Sequence, residues 1–376
     1  MSMIPGSVIY IIVPLVALPY MGVDAARWAK VMSIISIVVL FGTLLQYFYT
    51  KERLSEDENA ANVKTVSLGE QFKACFSNKY WVFYIILVLA QQLQSNLYSN
   101  ASVFYCNWVL GTYNDGTTLT LLNAVGQAPM GLGVFLLWPI AKKFGKRETM
   151  TVGMLIAAVG SLTVAAMSTN FGAVLGAMAI RSFGLLPTYL MASFMADAMD
   201  YVEWKNGFRC DGLTATFYSV MVTVMGGVGT SIFNSGLTAN GYVPPAADGT
   251  WVAQNAATKN WIVLCVAVIP AVCFLVMALC SYLSKIEPLM PQITKDITDR
   301  HRAEAEARGE VYYSAEEKAA MEQKKNDEIA EENRIKELRE KCAKKGLNFD
   351  EEEAKYQAKL AEKQAKAAAK AAKKKK

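Results

Sequence analysis

Between residues 196 and 212 the chain places Asp197, Asp200, Tyr201, Glu203, Trp204, Lys205, Arg209 and Asp211 where one long apolar segment ends and the next begins. Ionised groups at the edge of a hydrocarbon layer are stable where they pair or face water. Acids and bases packed into one such junction therefore suit ion pairs that form and break, the chemistry of a gate or coupling element. An ordinary charged interfacial loop has the same spacing, and the junction alone does not separate the two. Four bases in another loop, Lys142, Lys143, Lys146 and Arg147, are available as partners. Carboxylates at a helix C-terminus meet the negative end of its dipole, so they need such partners.

A second polar group lies inside an apolar segment. Gln92, Asn96, Ser99 and Asn100 fall at i, i+4, i+7 and i+8 on one helical face, with Gln91, Ser95 and Tyr98 beside it. Amides and hydroxyls on one stripe, near Tyr98, Tyr105 and Trp108, match a sugar: its hydroxyls take amide partners and its apolar ring faces stack on aromatics. Hydrogen bonding between membrane helices uses the same residue types. Arg181 falls mid-segment, where an unpaired cation is costly, so it requires a carboxylate of the bundle, backbone carbonyls or a bound anion, the last suiting an acidic sugar. Gly226, Gly227, Gly229 and Gly236 in one segment, and Gly184 with Pro187 in the one before, permit close helix approach or a bent helix.

These residues must be positioned by membrane helices. Apolar residues make up 53% of the chain and charged ones 19%, the balance of an all-α polytopic membrane protein. At roughly 20 apolar residues per span, about eight spans are predicted, over 7–23, 28–49, 80–110, 118–141, 149–168, 171–200, 212–236 and 260–284. Lys and Arg collect in alternate loops, which puts both termini on the cytoplasmic side of the inner membrane. Arg27 and Lys30 run against that alternation, so the first span is the least regular. No basic region precedes Val8–Leu18 and no small-residue cleavage site follows it, so the start does not read as a secretory signal.

Other chemistries lack their residues. The seven cysteines form no CxxC pair and His301 is the single histidine, which argues against a zinc site, a disulfide framework or a Cys/His nucleophile. There is no phosphate-binding loop of the Walker type and no GxSxG elbow, so no enzyme, metal or cofactor is expected. The expected partners are a small sugar-type molecule, a coupling cation and the lipid bilayer, with no nucleic acid.

At these residues the chain resembles the glycoside-pentoside-hexuronide:cation symporters of the major facilitator superfamily, the melibiose permease type. The family signature Asp-x-x-Asp-Tyr-x-Glu-(Trp/Tyr)-Lys followed by Arg is similar to Asp197, Asp200, Tyr201, Glu203, Trp204, Lys205 and Arg209. Further similarities lie at Thr50-Lys51-Glu52-Arg53, Tyr105 with Val109-Leu110-Gly111, Lys143-Phe144-Gly145-Lys146 and Gly241-Tyr242. The resemblance covers about residues 7 to 290. It implies a partial major facilitator fold holding the family's fifth to twelfth helices: two helices of the N-terminal bundle in 1–50, an inter-bundle loop in 51–79 and the C-terminal six-helix bundle in 80–286. The first four helices would be missing, and a complementary N-terminal half would be a partner. The implied function is cation-coupled symport of a sugar, glycoside or uronide by alternating access. In that frame Gln92, Asn96, Asn100, Arg181, Thr188 and Met225 are substrate-site candidates, and the acids and bases of 197–209 form a cytoplasmic latch. Thr188 stands where melibiose-type members carry a sugar-facing tryptophan and Met225 where they carry a coupling lysine, so neither galactoside specificity nor sodium coupling transfers. The other function class is a non-transporting membrane sensor or scaffold, or an inactive remnant, built on half the carrier fold.

From residue 287 the composition turns to Glu, Lys and Ala, which predicts a charged cytoplasmic tail, helical by propensity over about 315–341 and 351–372 and otherwise disordered. The terminal run ending in Lys373–Lys376 has the character of an anionic-lipid or nucleic-acid contact, but a solvated, partly disordered tail is the first reading of it.

Overall fold

The computed structural model describes residues 25–49, 66–113, 116–245, 250–345 and 348–354, with Tyr20, Tyr356 and Ala358. The span expected at 7–23, the Thr50–Arg53 motif and the terminal lysines lie outside the described residues. All regular structure among the described residues is helical. The chain divides into two units, 1–297 and 298–376.

In the first unit, α1 (Ala25–Tyr49) is apolar on every side, and none of its side chains is buried. A short helix α2 (Leu68–Phe76) meets α3 (Lys79–Phe104) at 85°. Its start is fixed by a capping box between Ser67 and Glu70. The turn between the two is held by Asn78, whose side chain accepts from Tyr80 N–H and donates to the Ala198 carbonyl at 3.0 Å. A π-turn over Tyr105–Val109 closes α3. The bundle continues with α4 (Gly116–Phe144), α5 (Lys146–Ala166) and α6 (Phe171–Leu185). A 3-10 turn over Leu186–Leu190, started by Pro187, leads into α7 (Met191–Asn206). Then come α8 (Asp211–Ala239), α9 (Ala256–Val263) and, after a π-turn at Leu264–Val268, α10 (Ile269–Leu283).

Among the described residues, five helical stretches are long and apolar enough to cross a membrane, six if the bent α2–α3 pair counts as one. The remaining expected span, 118–141, coincides with the 29-residue α4, which Pro129 and Pro139 interrupt.

Small residues bring α5 and α6 together. A Cβ on Gly184 would strike the Ala157 backbone, and one on Gly153 would lie 2.5 Å from the Pro187 ring. This backbone-on-backbone contact is how membrane helices associate where apolar burial gives no drive. Three apolar clusters then stack along the bundle. Leu97, Tyr105, Trp108 and Phe233 fill the end away from the charged loops. Tyr84, Leu87, Met154, Phe274 and Met277 fill the middle. At the charged end Trp81, Met199, Val202 and Cys210 are joined by Ile286, Ile293 and Ile297. The last two belong to α11 (Met290–Ala307), so the bundle's core runs beyond the boundary expected at 287. Ile293 and Ile297 sit one turn apart on one face of α11, which is what lets a mostly charged helix dock.

In the second unit α12 (Ala315–Lys345) is polar along its length. Arg334 holds Glu331 and Glu353 and lies 4.0 Å over the Tyr356 ring. The helix expected at 351–372 is described only at its start.

Candidate functional site

The junction acids are positioned by the end of α7. Gly207, at φ 78°, adopts the left-handed conformation that ends a helix and donates to the Glu203 carbonyl. The chain turns back there, and Arg209 swings over the acids it follows. Its Nη1 reaches Asp200 at 2.8 Å and Glu203 at 2.9 Å, while Nε and Nη2 grip Asp211 at 2.7 and 3.1 Å. Its fork geometry lets one guanidinium satisfy three carboxylates at once. Asp211 first, and then Asp200, raise its pKa above the usual arginine value against the effect of burial.

Asp197 pairs elsewhere. Lys146, the first residue of α5, reaches it at 2.5 Å and Ser193 at 3.0 Å. The Asp197 side chain is 10% exposed and that of Lys146 27%. The two backbone N–H groups that open α5, those of Lys146 and Arg147, donate to the Glu287 carboxylate at 2.9 and 3.1 Å. Of the four bases in this loop, then, Lys146 is the one that meets the junction acids. Arg147 pairs with Glu148, Lys143 lies over Phe144, and Lys142 and Lys205 are exposed. Tyr201 packs edge-on against Tyr80 and beside Trp204, whose indole N–H donates to Asp296 at 2.8 Å.

The intramembrane candidates divide into two places. Asn96 donates to the Gln92 carbonyl and Asn100 to the Asn96 carbonyl, both at 2.8 Å, with Asn100 also 3.2 Å from Thr230 on α8. These amide N–H groups are used locally, which aims the Asn96 Oδ1 toward α8. There it lies 3.8 Å from where a Cβ on Gly226 would be, and a Cβ on Gly227 would meet nothing described within 4 Å. Gly229 and Gly236 behave otherwise: a Cβ on the first would be 2.8 Å from Asn96 Cβ, and one on the second would overlap the Trp261 ring. Of the four glycines, two permit close approach and two leave space beside the polar stripe. Met225, half-buried, adjoins that space.

Arg181 is in the other place. It is 4% exposed and bonds to Gln94 Oε1 at 3.1 Å and the Val266 carbonyl at 3.3 Å. The rings of Tyr98, at 4.3 Å, and Phe274, at 5.5 Å, cover it. Its partners among the described residues are thus an amide, a carbonyl, the Met178 sulfur at 3.9 Å and two π faces, the second of the three arrangements the sequence allowed with aromatic support added. Thr188 spends its hydroxyl on the Leu185 carbonyl at 2.7 Å, inside the 3-10 turn.

Comparison with known proteins settles the family. A profile described as MFS/sugar transport protein matches residues 1–288. The chain belongs to that family. It is thereby a multi-pass membrane protein of a sugar-transport lineage, in agreement with the resemblance carried by the 197–209 motif. It is similar to an isoprimeverose transporter of Lactiplantibacillus pentosus, 28% identical over 73% of this chain and 55% of that protein. It is also similar to the inner membrane symporter YicJ of Escherichia coli, 24% identical over 66% of this chain and 52% of that one. A putative sulfoquinovose importer of Escherichia coli is 28% identical over 50% of the chain and 40% of its own length. The chain spans about half the length of the curated relatives it matches.

Reading along the sequence missed Ser193, Glu287 and Asp296 as partners of Lys146, the start of α5 and Trp204, and Gln94 as the partner of Arg181. Gln94 carried a signal, since it is one turn before Tyr98 on a helix already rich in amides. Glu287 carried a weaker one: an acid directly after the last apolar span, with a basic loop needing a cap.

Proposed function

We propose that this protein carries a sugar, glycoside or uronide across the inner membrane by alternating access, coupled to Na⁺ or H⁺, with both termini cytoplasmic. The observation that carries the reading is the polar stripe of Gln92, Asn96 and Asn100 on α3, whose Asn96 Oδ1 points at Gly226 of α8, where there is no side chain to cover it. An amide oxygen left uncovered by the residue opposite is free to accept from a sugar hydroxyl. The Lys146–Asp197 pair and the Arg209 cluster, at the cytoplasmic end in this reading, act as the latch that is closed while the site faces outward. A complementary set of helices completes the central site, because a midplane site between two repeats takes residues from both. The names of the relatives extend the substrate range to isoprimeverose, a glucuronide and sulfoquinovose.

The test is uptake by liposomes holding the full chain, with labelled isoprimeverose, a glucuronide and sulfoquinovose offered under an imposed Na⁺ or pH gradient. Uptake that collapses with the gradient supports coupled carriage. Uptake indifferent to both gradients overturns the coupling, and no uptake across the panel by inserted protein, tested alone and together with the first four helices of the isoprimeverose transporter supplied as a second chain, overturns carriage.

A further inference from the structure

Residues 286–297, directly after the last span, touch both helices whose charges make the gate. At one end Glu287 gives its two carboxylate oxygens to the N–H groups of Lys146 and Arg147, which no intrahelical carbonyl can satisfy. A carboxylate there also meets the positive end of the α5 dipole. It is seated against Gly145, where an added Cβ would come within 3.1 and 3.2 Å of its oxygens. At the other end Asp296 accepts from the Trp204 indole at 2.8 Å, one turn beyond Asp200 on α7. Between and beside these contacts Ile286 is 3%, Ile293 0% and Ile297 9% exposed, packed with Ala198, Met199, Val202 and Cys210. Simple burial of three isoleucines needs neither polar contact, whereas the two polar contacts fall on α5 and α7 and nowhere else among those described.

We propose that residues 286–297 are a brace of the gate, in which Glu287 and Asp296 are positioning residues that hold α5 against α7 and so keep Lys146 on Asp197 and the Arg209 loop closed. The purpose of the brace rests on the latch reading above; its existence does not.

The chain contains its own reporter. Cys210 lies between Arg209 and Asp211 and is 1% exposed, and burial raises its thiol pKa, so it is slow to alkylate while the loop is closed. The experiment treats membranes holding the full chain with N-ethylmaleimide and follows each cysteine by peptide mass mapping. Cys273 and Cys280, buried in α10, are the internal controls. Glu287→Ala and Asp296→Ala are each expected to speed Cys210 labelling roughly tenfold, the effect of losing a hydrogen bond to a charged group, while the controls stay slow. Asp296→Asn, which keeps an oxygen for the indole, restores protection. Trp204→Phe matches Asp296→Ala, and combining them adds nothing.

The proposal is overturned if Cys210 stays protected in both alanine variants, if Cys273 and Cys280 speed up equally, or if Asp296→Asn labels as fast as Asp296→Ala. Should Glu287→Ala fail to insert, the Trp204 and Asp296 variants decide the same question. Sugar uptake is scored separately: this labelling pattern in a chain that carries no sugar keeps the brace and removes the carrier reading.

Discussion

Removing the two charges of the Lys146–Asp197 pair one at a time gives unequal losses, and the structure sets the order. At 2.5 Å and an effective dielectric of 20, the gross attraction is about 7 kcal/mol, most of it offset by desolvation. Lys146→Met leaves Asp197 a carboxylate that is 10% exposed, with Asp200 and Glu287 acting on it as like charges. That unpaired buried anion destabilises the bundle by about 3 kcal/mol, within the range for breaking a buried pair from one side. Asp197→Asn leaves an ammonium that is 27% exposed, still within 3.0 Å of Ser193, and costs about 1 kcal/mol. Removing both charges relieves the stranded carboxylate, so the double variant is more stable than Lys146→Met alone. Buried cysteines throughout the bundle allow thermal unfolding to be followed with a thiol-reactive dye. At about 2–4 °C per kcal/mol for a domain of this size, Lys146→Met lowers the midpoint by roughly 6–12 °C and Asp197→Asn by roughly 2–4 °C. Equal shifts, or a double variant at the sum of the singles, would refute the reasoning.

Arg209→Lys keeps the charge but loses the fork that serves Asp200, Glu203 and Asp211 together; gradient-driven uptake by liposomes should slow by about tenfold, with little change in KM. Gly229→Ala forces a Cβ to 2.8 Å from Asn96 and destabilises by about 1–3 kcal/mol, while Gly227→Ala, entering open space, is neutral or stabilising by up to about 1 kcal/mol; the same dye assay separates them. Arg181→Met strands Gln94 Oε1 and the Val266 carbonyl and lowers stability by about 1–3 kcal/mol, whereas a midpoint unchanged from wild type would mean these contacts contribute nothing. In the second unit the Ser314 backbone N–H, then its hydroxyl and Arg302, hold Glu317 below the usual carboxylate range. A depressed folded value stabilises above the unfolded value and is lost as pH falls through the folded one, so the start of α12 should fray in acid, and amide exchange at residues 317–320 measures it.

The acids and bases of the 197–211 junction were legible as an ion-paired cluster because ionised residues at a span boundary are few and their chemistry is fixed by type. Their pairing was only partly legible. Lys146 stood among four plausible bases, and nothing in the spacing favours it over Lys142 or Lys143 until α5 is seen to begin at that residue. Glu287 lies 141 residues away along the chain, and a cap supplied by a different helix has no local pattern. Arg181 announced that it needed partners, yet carbonyls exposed by a π-turn and the faces of aromatic rings have no signature of their own. The four glycines of α8 look alike in sequence; only the helix opposite decides which two are contacts and which two are space. The boundary at 287 was set by composition, which averages over Ile293 and Ile297 and so hides the one apolar face of α11.

On the carrier reading, the break at Leu186–Leu190 gives the proposed gate a lever. Above it α6 is locked to α5 by Gly153 and Gly184, and below it α7 carries the acids with Pro187 withholding one backbone donor at the join. Asp197 lies about 10 Å and Trp204 about 21 Å from the end of that turn at 1.5 Å per residue. A tilt of α7 of about 6° would move them by about 1 Å and about 2 Å respectively. The first displacement stretches the Lys146 contact from 2.5 Å to the limit of a hydrogen bond, and the second carries the indole out of reach of Asp296. One small rotation at a single five-residue turn would thus break the ion pair and the Trp204–Asp296 bond together, so on the carrier reading opening is one event with one barrier.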